Sequence, residues 1–185
     1  MYKRQLVDNL RSLSWEAADI LLYYANIIKK LEQKNEILKN KNNEDPVTLA
    51  DLEVNELIIN RINQTYQDTN WEILSEENFK IQSNYFNNVD WLWVLDPLDG
   101  TKDFIQGTQS YAMHLALNYK RKPYIGIVLI PEKDELWISY EEKIWCENRD
   151  GNIRKQNMSE TNILEKMTIV TVSYTHLRAH ETHPN

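Results

Sequence analysis

The chain has 185 residues, which suits one domain or slightly more, and its 42% apolar and 26% charged residues can build a core and rule out wholesale disorder. A formal net charge of −7 argues against nucleic acid polymers as partners, because phosphate backbones are bound by basic surfaces. No apolar run approaches the roughly 18 residues of a membrane helix, the charged N-terminal stretch does not read as a signal peptide, and the single cysteine, Cys146, permits no internal disulfide; a cytoplasmic location is expected.

Residues 5–38 are predicted to form a long amphipathic helix, since Leu6, Leu10, Leu13, Ala17, Leu21, Tyr24, Ile28 and Leu31 recur at spacings of three and four. Residues 39–45 are polar and read as a loop. A second helix is expected next: Thr48 and Asp51, three apart, stand at the head of an apolar pattern of Leu52, Leu57, Ile58 and Ile62, and residues 64–70 end it. Strands then dominate. Trp71–Leu74 is short, residues 78–90 are a polar excursion, and Trp91–Leu95 is a continuous apolar run of the kind expected for a strand buried on both faces. Tyr111–Tyr119, Tyr124–Ile130, Glu135–Tyr140 and Lys143–Glu147 follow as strands joined by short turns, the pattern of an antiparallel meander. The fold class predicted is α+β, with two long helices packed on a largely antiparallel sheet.

The stretch Asp96-Pro97-Leu98-Asp99-Gly100-Thr101-Lys102-Asp103-Phe104 carries the chemistry. It follows directly on the strand of residues 91–95. Pro97 is expected to end ladder pairing and turn the chain, and Gly100 to let the backbone approach a ligand. Asp96 and Asp99 can then converge; two carboxylates repel unless a divalent cation lies between them, and Mg²⁺ takes such hard oxygen ligands while keeping waters. The Leu98 carbonyl offers a neutral ligand, and the amides of Gly100 and Thr101 favour a phosphate. Ser75-Glu76-Glu77 closes the preceding strand, so if the two strands are neighbours Glu76 meets Asp96 as a third carboxylate, as metal-assisted phosphoryl chemistry requires. Each fragment alone has a plainer reading: D-P-x-D-G as a turn, Glu76-Glu77 as solvated charge, Thr48 and Asp51 as a helix cap.

Together and in this order, P-V-T-L-A-D at 46–51, S-E-E at 75–77 and W-x-x-D-P-L-D-G-T-K-D-F at 93–104 make a specific signature. With it, the chain resembles the inositol monophosphatase superfamily over residues 5–170. Residues 46–51, Lys102-Asp103-Phe104 and the G-x-V-x-x-P pattern from Gly126 to Pro131 are similar to its CysQ-type 3'(2'),5'-bisphosphate nucleotidase branch. The resemblance implies a layered sugar-phosphatase fold and an Mg²⁺ cofactor. It implies metal ligation by Glu76, Asp96, Asp99 and the Leu98 carbonyl, and catalytic roles for Glu76 and for Asp51 with Thr101, the pair that helps activate the attacking water. Gly100, Thr101 and Lys102 would bind the phosphate. The partner implied is a small phosphate ester, a nucleotide: 3'-phosphoadenosine 5'-phosphate would be hydrolysed to AMP and phosphate. An inositol or sugar monophosphatase is the alternative within the superfamily, and a non-catalytic binding or regulatory module the alternative outside it.

The family pattern is incomplete. Relatives carry a further metal-binding aspartate in a W-D-x-x-A-G-like segment of their second half, and no Trp-Asp follows residue 105 here. Residues 1–170 therefore read as the N-terminal portion of a phosphatase domain. Val172–Thr182 is similar to an in-frame translation of a sequencing adapter, so residues 171–185 are expected to be a non-native tail, and the spacing of His176 and His180 there is not read as a zinc pair. Weak or absent activity and poor solubility are expected of the chain. His114 reads as a packed sheet residue, Cys146 as a half-buried strand residue and most tryptophans as core.

Overall fold

The computed structural model describes residues 2–32, 49–76 and 89–156. Helical periodicity yields α1, Tyr2–Glu32, whose Leu6, Leu10, Leu13, Ala17 and Leu21 form a buried stripe. The second helix, α2, spans Leu49–Thr65 and buries Ala50, Asp51, Val54, Ile58 and Ile62. Its phase differs from the expected one. Leu52, counted in the apolar pattern, is 42% exposed, because Ala50 and Val54 fix the inward face and Leu52 lies half a turn away. The expected continuation of α1 to residue 38, the loop at 39–45, Thr48, most of the excursion at 78–90 and the tail at 171–185 lie outside the described residues.

Among the described residues, seven strands form one sheet in chain order. They are β1 (Glu72–Ser75), β2 (Trp91–Asp99), β3 (Ala112–Tyr119), β4 (Lys122–Ile130), β5 (Glu135–Tyr140), β6 (Lys143–Glu147) and β7 (Ile153–Gln156), with a five-residue helix, α3 (Thr101–Ile105), between β2 and β3. β1 and β2 run parallel, and every later pair is antiparallel. The expected meander is thus present, with one strand more than the sequence announced. β7 (I-R-K-Q) is largely polar, with Ile153 and Arg154 exposed, and is recruited by pairing with β6. Lys120 and Arg121, both at positive φ, join β3 to β4 in a tight hairpin whose twist matches that of its strands.

Residues paired across the ladders share a face. Trp93, Leu117 and Ile125 form one buried row, and Leu95, Leu115, Ile127 and Ile138 another; with Leu129 and Leu136 they pack against α1 and α2. The opposite face carries Val94, 37% exposed, with Leu92, Ala116 and Val128 half-buried. The expectation that β2 is buried on both sides is therefore corrected: among the described residues the helices cover one side only. A charged tie fixes α1 to the far end of the sheet. The Arg11 guanidinium pairs with Glu147, which is 1% exposed and also accepts a 3.1 Å hydrogen bond from the Trp145 indole.

Candidate functional site

The sequence motif lies inside β2 and at its C-terminal end. Pro97 does not turn the chain there, contrary to expectation. The strand runs on through Pro97 and Leu98 to Asp99, and the ladder absorbs the proline with a bulge: Asp96 faces His114 and Asp99 faces Ala112, so two residues of β2 stand against Met113 alone. This irregularity has a chemical consequence. In a regular strand residues three apart point to opposite faces. Because His114 and Ala112 are two apart, the bulge returns Asp99 to the side on which Asp96 lies. Leu98, 1% exposed, and Pro97, also buried, supply the anchorage.

Glu76 arrives from the neighbouring strand. The parallel register pairs Ser75 with Leu95, both buried, so Glu76 follows beside Asp96 on the open side of the sheet. Asp96 is pushed up to about 7, first by burial and then by the negative charges of Glu76 and Asp99; the Leu98 amide, donating to its Oδ1 at 3.2 Å, opposes the rise. The neighbouring charges that raise Asp96 are both negative. Among the described residues no three carboxylate, imidazole or thiol groups are gathered closely enough to hold a metal ion by themselves. Glu76, Asp96 and Asp99 nonetheless offer the hard oxygen donors that Mg²⁺ takes, and a cation there would offset the negative charges that, after burial, raise Asp96.

Beyond Asp99 the backbone turns sharply. Gly100 has φ 83°, in the left-handed region, and a Cβ there would lie 2.7 Å from the Ser110 carbonyl oxygen, so both conformation and space demand glycine. Its requirement is thus structural and not only one of ligand approach. Thr101 opens α3 and its hydroxyl donates to the Leu98 carbonyl at 3.0 Å; that oxygen keeps a second lone pair. Phe104 pins α3 down, buried and edge-to-face with Tyr111 at 4.7 Å. Lys102 is exposed on α3. Asp51 is 5% exposed in the first turn of α2, away from bulk solvent.

His114 also departs from its expected role. His114 is not packed into the sheet: it stands on the open face with its side chain 46% exposed, and its Nε2 lies 3.8 Å from Asp99 Oδ2. The signal was available only in the β2–β3 register, which sets His114 opposite Asp96. Cys146, by contrast, is buried as a small hydrophobe, and burial raises its thiol pKa.

A sequence model of the inositol monophosphatase family matches residues 3–184. The chain belongs to that family. Among the family's characterised members, it is 32% identical over 119 residues to the chloroplastic bifunctional phosphatase IMPL2 of Arabidopsis thaliana, covering 60% of this chain and 31% of that protein. It is 27% identical over 154 residues to the 3'(2'),5'-bisphosphate nucleotidase CysQ of Salmonella typhimurium, covering 82% of this chain and 57% of that one. The inositol monophosphatase fold is shared with the IMPase of Thermotoga maritima, at a TM-score of 0.62 and 21% identity, over 84% of this chain and 54% of that one. The chain therefore spans little more than half the length of such relatives, or less. No helix among the described residues is long and apolar enough to cross a membrane.

Proposed function

We propose that the protein is a Mg²⁺-dependent phosphomonoesterase whose substrate is a small phosphate ester, and that within this class it acts on 3'-phosphoadenosine 5'-phosphate to give AMP and phosphate. The observation that carries the reading is the convergence of Glu76 from β1 with Asp96 and Asp99 from β2 on one side of the sheet, next to the turn at Gly100 and Thr101. The similarity to the CysQ nucleotidase supports the nucleotide substrate, as does the Lys102-Asp103-Phe104 sequence.

In this reading Glu76, Asp96, Asp99 and the Leu98 carbonyl hold the metal. When bound, it lowers the pKa of water and neutralises charge on phosphoryl and leaving oxygens. The rest of the work belongs to the chain. Thr101 Oγ1 and the Asp51 carboxylate orient the attacking water and take up its proton. The amides of Gly100 and Thr101 receive the phosphate oxygens, and Lys102 adds positive charge at the rim. The buried base of the turn, Leu98 and Phe104, keeps these groups in fixed relation.

The similarity to the bifunctional IMPL2 phosphatase favours a second reading, an inositol or sugar monophosphatase. Phosphate release from 3'-phosphoadenosine 5'-phosphate and from inositol 1-phosphate by a purified full-length parent of this chain, with and without Mg²⁺, separates the two. Faster Mg²⁺-dependent turnover of the nucleotide supports the first reading; preference for the inositol ester replaces it with the second. A chain that binds neither metal nor ester would be the non-catalytic module.

A further inference from the structure

We propose that Asp103 and Thr108 are positioning residues: they clasp the loop that follows α3, so that it stays seated against Gly100 and holds the Gly100–Thr101 turn in place for a phosphate group. This rests on the phosphatase reading above. Three observations converge on it. The first is a double tie. Thr108 Oγ1 donates to Asp103 Oδ1 at 2.6 Å, and the Thr108 amide donates to the Asp103 carbonyl at 3.0 Å. The second is the backbone that this tie closes. Gly107, at φ 66°, ends α3 in the left-handed region and donates to the Phe104 carbonyl at 3.2 Å, and Gln109 follows at φ 64°, a conformation that a residue with a Cβ keeps only when its surroundings enforce it. The third is where the loop goes next. The Ser110 carbonyl rests against Gly100, so closely that no Cβ would fit between them.

Residues 106–110 are exposed, so no buried side chain anchors this stretch. Phe104 and Tyr111 pin its two ends. Between them the holding falls to the clasp, and a hydroxyl donating to a carboxylate is a short, strong hydrogen bond. Once it opens, the Ser110 carbonyl is free to lift from Gly100. The turn then shifts, and with it Thr101 and the Leu98 carbonyl to which its hydroxyl donates. A misplacement of about 1 Å in such a group can cost roughly 100-fold in rate. The aspartate of Lys102-Asp103-Phe104 thereby acts by shaping the turn and not by touching the substrate.

The test has two arms. In the first, amide hydrogen exchange of the 185-residue chain is followed by mass spectrometry. Thr108→Val removes the hydroxyl and keeps the shape. It should leave melting unchanged, because residue 108 is exposed, and speed exchange over residues 100–105 roughly fivefold to tenfold. Asp103→Ala should match it. In the second arm, a full-length parent of this chain is assayed for phosphate release with inorganic phosphate as the added inhibitor. Thr108→Val should weaken that inhibition about fivefold and lower kcat, and Thr108→Ser, which restores the donor, should return both towards the parent. Unchanged exchange in both Thr108→Val and Asp103→Ala shows that the clasp holds nothing and overturns the proposal. Faster exchange with unaltered phosphate inhibition makes the clasp a purely structural tie and likewise overturns it. A parent that releases no phosphate in Mg²⁺, while exchange in the chain still responds to Thr108→Val, sinks the phosphatase reading and takes this inference with it.

Discussion

At the scale of single residues, the site is built at the expense of stability. The Asp96 carboxyl is raised from an ordinary 3.8 to about 7, so between those values the folded chain keeps a proton that the unfolded chain has released. Stability of the metal-free protein should therefore fall as pH rises through that window, with the whole penalty present above about 7. Asp96 is partly solvated, so the cost is discounted to about 1–2 kcal/mol. Asp96→Asn should recover it, raising the melting temperature of metal-free protein at pH 8; a lower melting temperature would contradict this account. Gly100→Ala should cost about 1–3 kcal/mol, from left-handed backbone strain and from the clash with the Ser110 carbonyl, and should read out as a lower urea midpoint together with lost turnover. The acidic residues were legible in the sequence because their spacing within D-P-L-D-G-T is a local pattern. His114 was not, since its place depends on a partner strand and on a bulge that no local pattern announces.

At the scale of elements, the parallel β1–β2 pair does most to assemble the site, because it delivers Glu76 beside Asp96 from a strand that is only four residues long. The sequence showed two apolar runs ending in acids, and whether they were neighbours was open until the register was known. Helix α1 presents the opposite case. Its apolar stripe was plain from residue spacing, yet the pairing of Arg11 with Glu147 across 136 residues has no sequence signature. Glu147 is buried, so removing its cation strands a charge: Arg11→Ala should destabilise the chain by about 3 kcal/mol in chemical denaturation. Replacing both partners, as in Arg11→Leu with Glu147→Leu, should cost markedly less than the single change. If the double substitution proves no better, the tie contributes through packing and not through charge.

At the scale of the whole molecule, the fold class, the two long helices and the meander were readable, because alternating and helical periodicities survive in single sequences, whereas the five-residue α3 was not announced. The covering of the sheet was not. The run W-L-W-V-L suggested cover on both sides, and among the described residues the structure supplies it on one, leaving Val94 exposed beside half-buried Ala116 and Val128. A surface of that kind favours self-association. Sedimentation velocity should show concentration-dependent assembly of the chain, reduced by Val94→Lys; a monodisperse monomer at high concentration would count against it.

The order of the strands in space follows their order along the chain, from β1 to β7. During synthesis each hairpin can therefore add to the edge just laid down, and few contacts need wait for distant sequence. Two exceptions tie α1 to late sequence: the carboxylate at residue 147, the buried counter-ion of the guanidinium at residue 11, and Arg149, which pairs with Asp19. Growth of the sheet is gradual, and the first helix, held early to α2 through Glu16 and Arg61, gains its ties to the far edge only when the sixth strand has left the ribosome, so chains halted earlier should hold their leading helix less firmly and be the ones that proteases find.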